Sequence, residues 1–387
     1  MSNPFMPGNG IEPRYLAGRE EFIESFERSL KSYEGGLPRN TVLSGLRGSG
    51  KTVLLRRFKV LSESRDWLAI EREFNDRFSD ENSFAEAIVK DIVSGATEVS
   101  LAKKAKQVGK KIIDIIKPEE LGAYGVTYKP FYKEKKHLLE DYLKEMLVKN
   151  WDAFKKSDKK GVVFLYDEFH TVKDSSQQKS YPLASLLGAI SYAQRNGCKY
   201  YLCLGGLPTI MSNLKDAKTY TERMFELRQV GNLEADEAKK AITNTLKSSA
   251  YQFEDKLIDK IIEETGGYPY FIQFYGYFII EQIGKKIITL KDFVGIRSKL
   301  IKDLDAGFFD DRVRLASPKE RKILVAMARA GGVEIEVKQI IKISKISYGV
   351  LMELLKRLME KGLVYRAERG RYGFTLPLFR EFLLRLK

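Results

Sequence analysis

The chain has 387 residues, of which 43% are hydrophobic and 31% charged, with a formal net charge of +15. Such a composition describes a globular protein of two or three domains, while two cysteines and two histidines are too few for a disulfide framework, a zinc site or a histidine-based triad. The basic excess points to a polyanionic partner, or to a surface kept soluble or heat-tolerant by lysine.

Residues 1–17 form an arm punctuated by Pro and Gly. It carries neither a basic leader nor an apolar h-region, so a cytoplasmic, reduced chain is expected. A helix then runs to about Tyr33, with Phe22, Ile23, Phe26 and Leu30 on its apolar face. Asn40–Ser44 reads as a short buried strand, and Val53–Phe58 opens an amphipathic helix. Between them lies Gly45-Leu46-Arg47-Gly48-Ser49-Gly50-Lys51-Thr52, which fits G-x-x-x-x-G-K-[ST] at every fixed position. Glycines let backbone N–H groups curl around phosphates, and the following helix N-terminus adds a favourable dipole. In this pattern Lys51 reaches the β- and γ-phosphates and the Thr52 hydroxyl ligates Mg²⁺.

Trp67–Ile70 is a second predicted strand. Asn82–Ser94 and Leu101–Ile116 read as helices, the second bearing Lys103, Lys104, Lys106, Lys110 and Lys111. Leu121–Tyr128 suggests a small hairpin, and a long helix is expected from about Tyr132 to Phe154. Gly161–Tyr166 is then an apolar strand ending in Asp167 and Glu168, about 115 residues beyond the glycine loop. Its tip puts Asp167 near the metal and Glu168 where it can orient and deprotonate an attacking water; His170 beside them is incidental. Lys199–Leu204 leads into Gly205-Gly206-Leu207-Pro208, and Phe225–Val230 closes the sheet. Cys198 and Cys203 flank that third strand at odd spacing, so they face opposite ways and should not pair. Crossover helices between these strands predict a doubly wound α/β layer with its ligand at the strands' C-terminal ends.

From Asn232 the pattern becomes helical without strands: Glu234–Ser248, Glu254–Glu264, Pro269–Ile283 and Leu290–Leu304. The longest apolar run, Tyr268–Ile280, includes Gln273 and is too short to span a bilayer. The tail opens on Ser317-Pro318-Lys319-Glu320, a capping box with proline at the first helical position. Helices to Ala330, over Val337–Ile343 and over Ser347–Lys361 follow, the last burying Val350, Leu351, Leu354, Leu355 and Leu358. Strands Leu363–Arg366 and Tyr372–Thr375 would pair about Glu368-Arg369-Gly370-Arg371. Three helices and a β-wing make a winged helix, whose third helix can enter the major groove of duplex DNA. From Asp310 to Lys387 there are 18 Lys and Arg against 9 Asp and Glu, so over half of the net charge lies in the tail. Lys345, Ser347, Tyr348, Lys356, Arg369 and Arg371 are the groups expected at DNA; the alternatives are a solvated basic face or a wing that contacts protein. The domains expected are 1–232 (arm plus α/β domain), 233–308 (helical lid) and 309–387 (winged helix).

On these motifs the chain resembles the AAA+/ASCE ATPases, and among them a prokaryotic group similar to archaeal replication-initiator (origin-recognition-like) ATPases. The resemblance implies ATP with Mg²⁺ as the ligand, with Gly45–Thr52 as Walker A and Asp167-Glu168 as Walker B. The arm from Asn3-Pro4-Phe5 to Tyr15-Leu16-Ala17-Gly18-Arg19-Glu20 resembles that family's N-terminal box, which implies Tyr15 and Leu16 beside the base. Gly45, Arg47, Gly48, Ser49, Gly50, Lys51, Thr52 and Val53 would line the nucleotide. Thr221-Glu222-Arg223-Met224-Phe225 resembles the arginine-finger region; Arg223 is then either a finger into a neighbouring subunit's γ-phosphate or a helix-end surface arginine. Two departures stand out. No polar residue tips the strand before Gly205-Gly206, where sensor 1 is expected, Thr209 being the nearest. The lid helix lacks the sensor 2 arginine, and its Gly266-Gly267-Tyr268-Pro269 instead resembles the G-x-P element of STAND-type NTPases, where Pro269 would lie against the base.

The resulting expectation is a slow ATP-hydrolysing switch that binds double-stranded DNA through its winged helix and forms a homo-oligomer. Two other readings keep the nucleotide site: a STAND-like signalling or defence ATPase acting on a protein partner, and a transposition-type adaptor forming filaments on DNA.

Overall fold

The apolar runs pair side by side. In the computed structural model, which describes residues 2–8, 10–36, 39–108 (103–108 by backbone only) and 138–386, strands β1 (Asn40–Ser44), β2 (Trp67–Glu73), β3 (Gly161–Asp167), β4 (Tyr200–Gly206) and β5 (Phe225–Gln229) form a parallel sheet ordered β2-β3-β4-β1-β5. β1, β3 and β4 are buried at every position, which is why they read as unbroken apolar runs. Their side chains still alternate between two cores. Val162, Phe164, Tyr166, Leu202 and Leu204 pack with α3 (Glu81–Val108), α4 (Leu139–Lys155) and α5 (Pro182–Arg195). Val163, Leu165, Tyr201 and Cys203 pack with α1 (Glu20–Glu34) and α2 (Lys51–Ser64) on the opposite face. Cys198 belongs to the first core and Cys203 to the second, and both are free. Two short helices, α6 (Ile210–Ala217) and α7 (Thr221–Met224), lead back into β5.

One expectation about this layer fails. Asn82–Ser94 and the start of the next predicted helix are a single helix, α3, over Glu81–Val108. Gly95, which looks like a break, is a close-packing position: a Cβ there would lie 2.8 Å from Ile70 and 3.0 Å from Leu68. The side chains of Lys103, Lys104 and Lys106, residues 109–116, the hairpin expected over 121–128 and the expected helix start at 132–137 lie outside the described residues.

Beyond the sheet, α8 (Ala235–Lys247), α9 (Asp255–Thr265), α10 (Pro269–Ile283) and α11 (Leu290–Leu304) match the four helices expected there. This region is not strandless, because β6 (Gln252–Phe253) and β7 (Ile287–Ile288) pair in parallel where the two loops run extended side by side. Chain direction then continues helically through a π-helical turn, Asp305–Asp310, and α12 (Asp311–Arg314). The tail contains α13 (Pro318–Ala330), β8 (Glu334–Glu336), α14 (Val337–Ser344), α15 (Tyr348–Glu360), β9 (Val364–Glu368), β10 (Arg371–Phe374) and α16 (Phe379–Arg385). Ser317 and Glu320 form the capping box reciprocally at the start of α13. Three helices with an antiparallel sheet ordered β8-β10-β9 are compatible with a winged helix. Val350 is not in its core: it is 44% exposed, because Leu351, Leu354, Leu355 and Leu358 already fill the buried stripe of α15. Among the described residues no helix is long and apolar enough to cross a membrane.

A single apolar core joins α8–α11 to the tail, from Ile242 and Phe271 through Phe309 to Leu351 and Phe382. The N-terminal arm is part of it. Phe5 is 1% exposed and seats its ring over Gly276 of α10, where a Cβ would come within 2.5 Å of the ring. Asn3 donates to the Tyr277 carbonyl at 3.0 Å, and the Met6 N–H donates to Gln273 Oε1 at 3.0 Å. Gly276→Ala should therefore unseat the arm, with an overpacking cost of about 1–3 kcal/mol. Limited trypsin digestion should cut after the exposed Arg14 faster than in the unmodified chain, and an unchanged cutting rate would contradict this docking.

Candidate functional site

A cavity lies at the C-terminal ends of β1 and β3, between the arm, the glycine loop and α10, with a volume of about 780 Å³. That is within the range of small-molecule sites. Tyr15, Leu16, Arg47, Gly48, Ser49, Gly50, Lys51, Thr52, Val53, Glu168 and Pro269 all line it. Gly45 lies beneath rather than on the wall, since a Cβ there would meet the Val230 carbonyl at 2.3 Å. The loop uses left-handed backbone at Gly48 (φ 80°) and Gly50 (φ 100°), a conformation that glycine adopts without strain.

The loop's side chains are held by its own strand ends. Lys51, 5% exposed, donates from Nζ to the Gly45 and Leu46 carbonyls, both at 2.9 Å. Burial lowers its pKa, against the opposing pull of Glu168 and Asp167. The Thr52 hydroxyl donates to Asp167 Oδ2 at 2.5 Å, and the Glu168 N–H donates to Asp167 Oδ1 at 2.8 Å. Between these two strand tips lies the tip of β4, where Gly205 would place a Cβ 2.9 Å from Asp167 Oδ1. The missing polar residue at that tip is thereby explained: the Thr52–Asp167 contact occupies the space that a side chain would need. Thr209 caps α6 and is not among the residues lining the cavity.

Glu168 is in the left-handed region at φ 50°, which turns its carboxyl from the strand into the cavity. Its pKa is raised by burial and by Asp167, and lowered by Lys51 and Arg47. His170 Nδ1 lies 3.8 Å from Glu168 Oε2, is buried and has no hydrogen-bond partner. Burial, with the charges of Arg47 and Lys51, pushes that imidazole down to about 3, so it is neutral at pH 7. Thr52 and Asp167 fit a magnesium ion, which takes few protein oxygens beside those of a substrate's phosphates.

Several wall residues carry no signal in a linear reading. Arg19, 4% exposed, donates to the Ser49 carbonyl at 3.0 Å and the Gly231 carbonyl at 2.6 Å, tying the loop to the segment that follows β5. The only hint was its place in the arm motif. Glu73 at the end of β2, Asn75 and Asp76 just past it, and Phe308 and Arg312 from the segment after α11 also line the cavity.

Other expected residues lie elsewhere. Arg223 is exposed in α7, two residues before Phe225, which pairs with Asn40 at the beginning of β1, whereas the phosphate loop lies at the other end of β1, roughly 13 Å along the strand. Lys345 and Ser347 flank the turn into α15, and Tyr348, 62% exposed, begins it. Lys356 lies two turns further on, exposed, and Arg369 is exposed at the β9–β10 turn. Arg371 is held by Glu336 at 3.1 Å and Glu368 at 3.3 Å.

Arg19→Ala would remove the donor of the buried Ser49 carbonyl and of the Gly231 carbonyl, the first at a cost of about 1–3 kcal/mol. Chemical denaturation should show that loss, and an unchanged midpoint would mean that the loop holds its shape without Arg19.

Residues 306–383 match a family model described as a domain of unknown function, DUF8462. No curated protein matches the chain in sequence. Among solved structures it is similar to the Walker-type ATPase PABY2304 of Pyrococcus abyssi, at 18% identity and a TM-score of 0.58, covering 95% of this chain and 96% of that one. It is also similar to the ORC2 protein of Aeropyrum pernix in its ADPNP–ADP complexes, at 15% identity and a TM-score of 0.50, covering 98% and 97%. The fold is therefore that of the Walker-type and origin-recognition-type ATPases, along the whole chain.

Proposed function

We propose that the protein is an Mg-ATP-hydrolysing switch of the AAA+ type whose nucleotide state sets the placement of a DNA-binding winged helix. The observation that carries the reading is the hydrogen bond of Thr52 to Asp167 at 2.5 Å, made at the cavity that Thr52 lines together with Lys51 and Glu168. Two glycine-loop groups and two acids from a different strand are the components that phosphoryl transfer needs. ATP as the nucleotide is supported by the fold shared with a Walker-type ATPase and with an ORC2 protein seen in ADPNP–ADP complexes.

In this mechanism Lys51 leaves the Gly45 and Leu46 carbonyls for the β- and γ-phosphates, whose charge restores its own. Thr52 and Asp167 would hold Mg²⁺, which when bound would supply charge neutralisation at the phosphate oxygens. Glu168 orients a water in line with the γ-phosphorus and takes its proton as the P–O bond to the leaving ADP breaks. Tyr15, Leu16 and Pro269 flank the base. Arg223 is too far from its own site to act there, and serves as a finger for a neighbouring copy in a homo-oligomer. Lys345, Ser347, Tyr348, Lys356 and Arg369 contact duplex DNA, and Arg371, already paired, braces the wing.

A second reading rests on a different feature. Tyr348, Val350 and Ile343 are 62%, 44% and 36% exposed around the start of α15, an apolar patch that favours a protein partner of the STAND-like kind.

Glu168→Gln should retain Mg-ATP binding and lose turnover, whereas Lys51→Ala should lose binding. Because burial raises the Glu168 pKa, the acid limb of the rate profile should lie above the ordinary glutamate range, with turnover rising as the carboxyl ionises. A limb at the ordinary value, or turnover by Glu168→Gln, would overturn Glu168 as base. Binding of Glu168→Gln to random-sequence duplex DNA should be tight with Mg-ATP, weak without it, and fall steeply with salt. ATP-indifferent or absent binding would favour the protein-partner reading.

A further inference from the structure

Arg312 sits in the wall of the nucleotide cavity, yet comes from the segment joining α11 to α13. Its guanidinium lies 4.2 Å from the centroid of the Phe308 ring and donates to the Phe308 carbonyl, which aims it back along the π-helical turn. Among the described residues no carboxylate pairs with it; Asp311, next to it in sequence, is 3.6 Å from Arg314 instead. Its strongest charged neighbour is another cation, Arg47 of the phosphate loop, and burial together with that neighbour lowers its pKa. Arg47 also lacks an acidic partner among the described residues.

Two half-buried guanidiniums lining one cavity, neither in an ion pair among the described residues, repel each other in a place poorly screened by water. An anion between them converts that repulsion into two charge-assisted contacts. The wall they share continues through Gly48 to Lys51, the part of the loop that faces the outer phosphates. Arg47 has a second neighbour, since a Cβ on Gly362, in the turn closing α15, would lie 3.0 Å from its guanidinium. Gly48 likewise packs on the lid, a Cβ there coming 3.0 Å from the Tyr268 hydroxyl and 3.1 Å from Tyr270.

We infer that Arg312 is a nucleotide-sensing residue that binds the terminal phosphate of a nucleoside triphosphate in cis, with Arg47, and so links phosphate occupancy to the docking of the winged-helix segment. The inference rests on the nucleotide-site reading above. A diphosphate leaves the two guanidiniums apart and unbridged, so the α12 segment and the Gly362 turn are held less firmly.

The test is isothermal titration of the full chain with Mg-ATP and Mg-ADP, in the Glu168→Gln background so that ATP persists. Arg312→Gln should weaken Mg-ATP binding about tenfold or more, as expected for one charge-assisted contact, and leave Mg-ADP binding unchanged. Arg312→Lys, which keeps the charge and stacking stem, should recover part of the loss and guards against misfolding of the glutamine variant. Hydrogen exchange supplies an independent readout: ATP should protect the amides of Lys361–Leu363 in the parent and not in Arg312→Gln. Equal weakening of ATP and ADP, or unchanged ATP affinity, would overturn the role of Arg312 while the parent's binding leaves the nucleotide site standing. A parent chain that binds neither nucleotide would overturn both.

Discussion

The hydrogen bond from Thr52 to Asp167 ties together strands that are not neighbours. β4 runs between β1 and β3, and its tip must be bare for the contact to form, so Gly205 is as much a requirement of the site as either bonded residue. The sheet order sets this constraint before any ligand is considered. It aligns the ends of β1 and β3 at one edge of the layer, puts the glycine loop above one and the acid pair above the other, and leaves a cavity between them.

The remaining wall is supplied from far away in the chain. The arm crosses beneath α10 and is locked by Phe5 over Gly276, which fixes Tyr15 and Leu16 at the open end of the cavity. Arg19 then joins the loop to the segment after β5 across 30 and 212 residues of sequence. Each of these contacts buries polar or aromatic groups that have few alternative partners, so the site's geometry is determined by packing outside it. Charge works in the same direction: burial depresses Lys51 and elevates Glu168, and their mutual attraction limits both shifts.

The parts of the site that could be read from the sequence are those whose chemistry is local. Gly45–Thr52 forms a turn whose function depends on consecutive backbone groups, and Asp167-Glu168 ends an apolar run that can only be an interior strand. Helices α8–α11 were legible because their apolar stripes recur with helical period over segments separated by short loops. What escaped was non-local. Gly95 looks like a helix end until Ile70 and Leu68 are seen against it, and Val350 fits an apolar stripe that is already full. Arg19, Phe308 and Arg312 are unremarkable in sequence, and only the way the chain returns to the cavity gives them a position there.

The core shared by α8–α11 and the tail has a mechanical consequence. Bending the chain between those parts would expose Phe309, Leu351 and Phe382 to water, whereas the crossing from the sheet is a short stretch containing Gly231, whose Cβ position is open. The economical motion is therefore rotation of everything past residue 231, together with the arm docked on α10, as one stiff lever pivoting beside the phosphate loop. Arg19 grips the carbonyl of Gly231 itself. A small angular change at that pivot becomes a displacement that grows with distance from it.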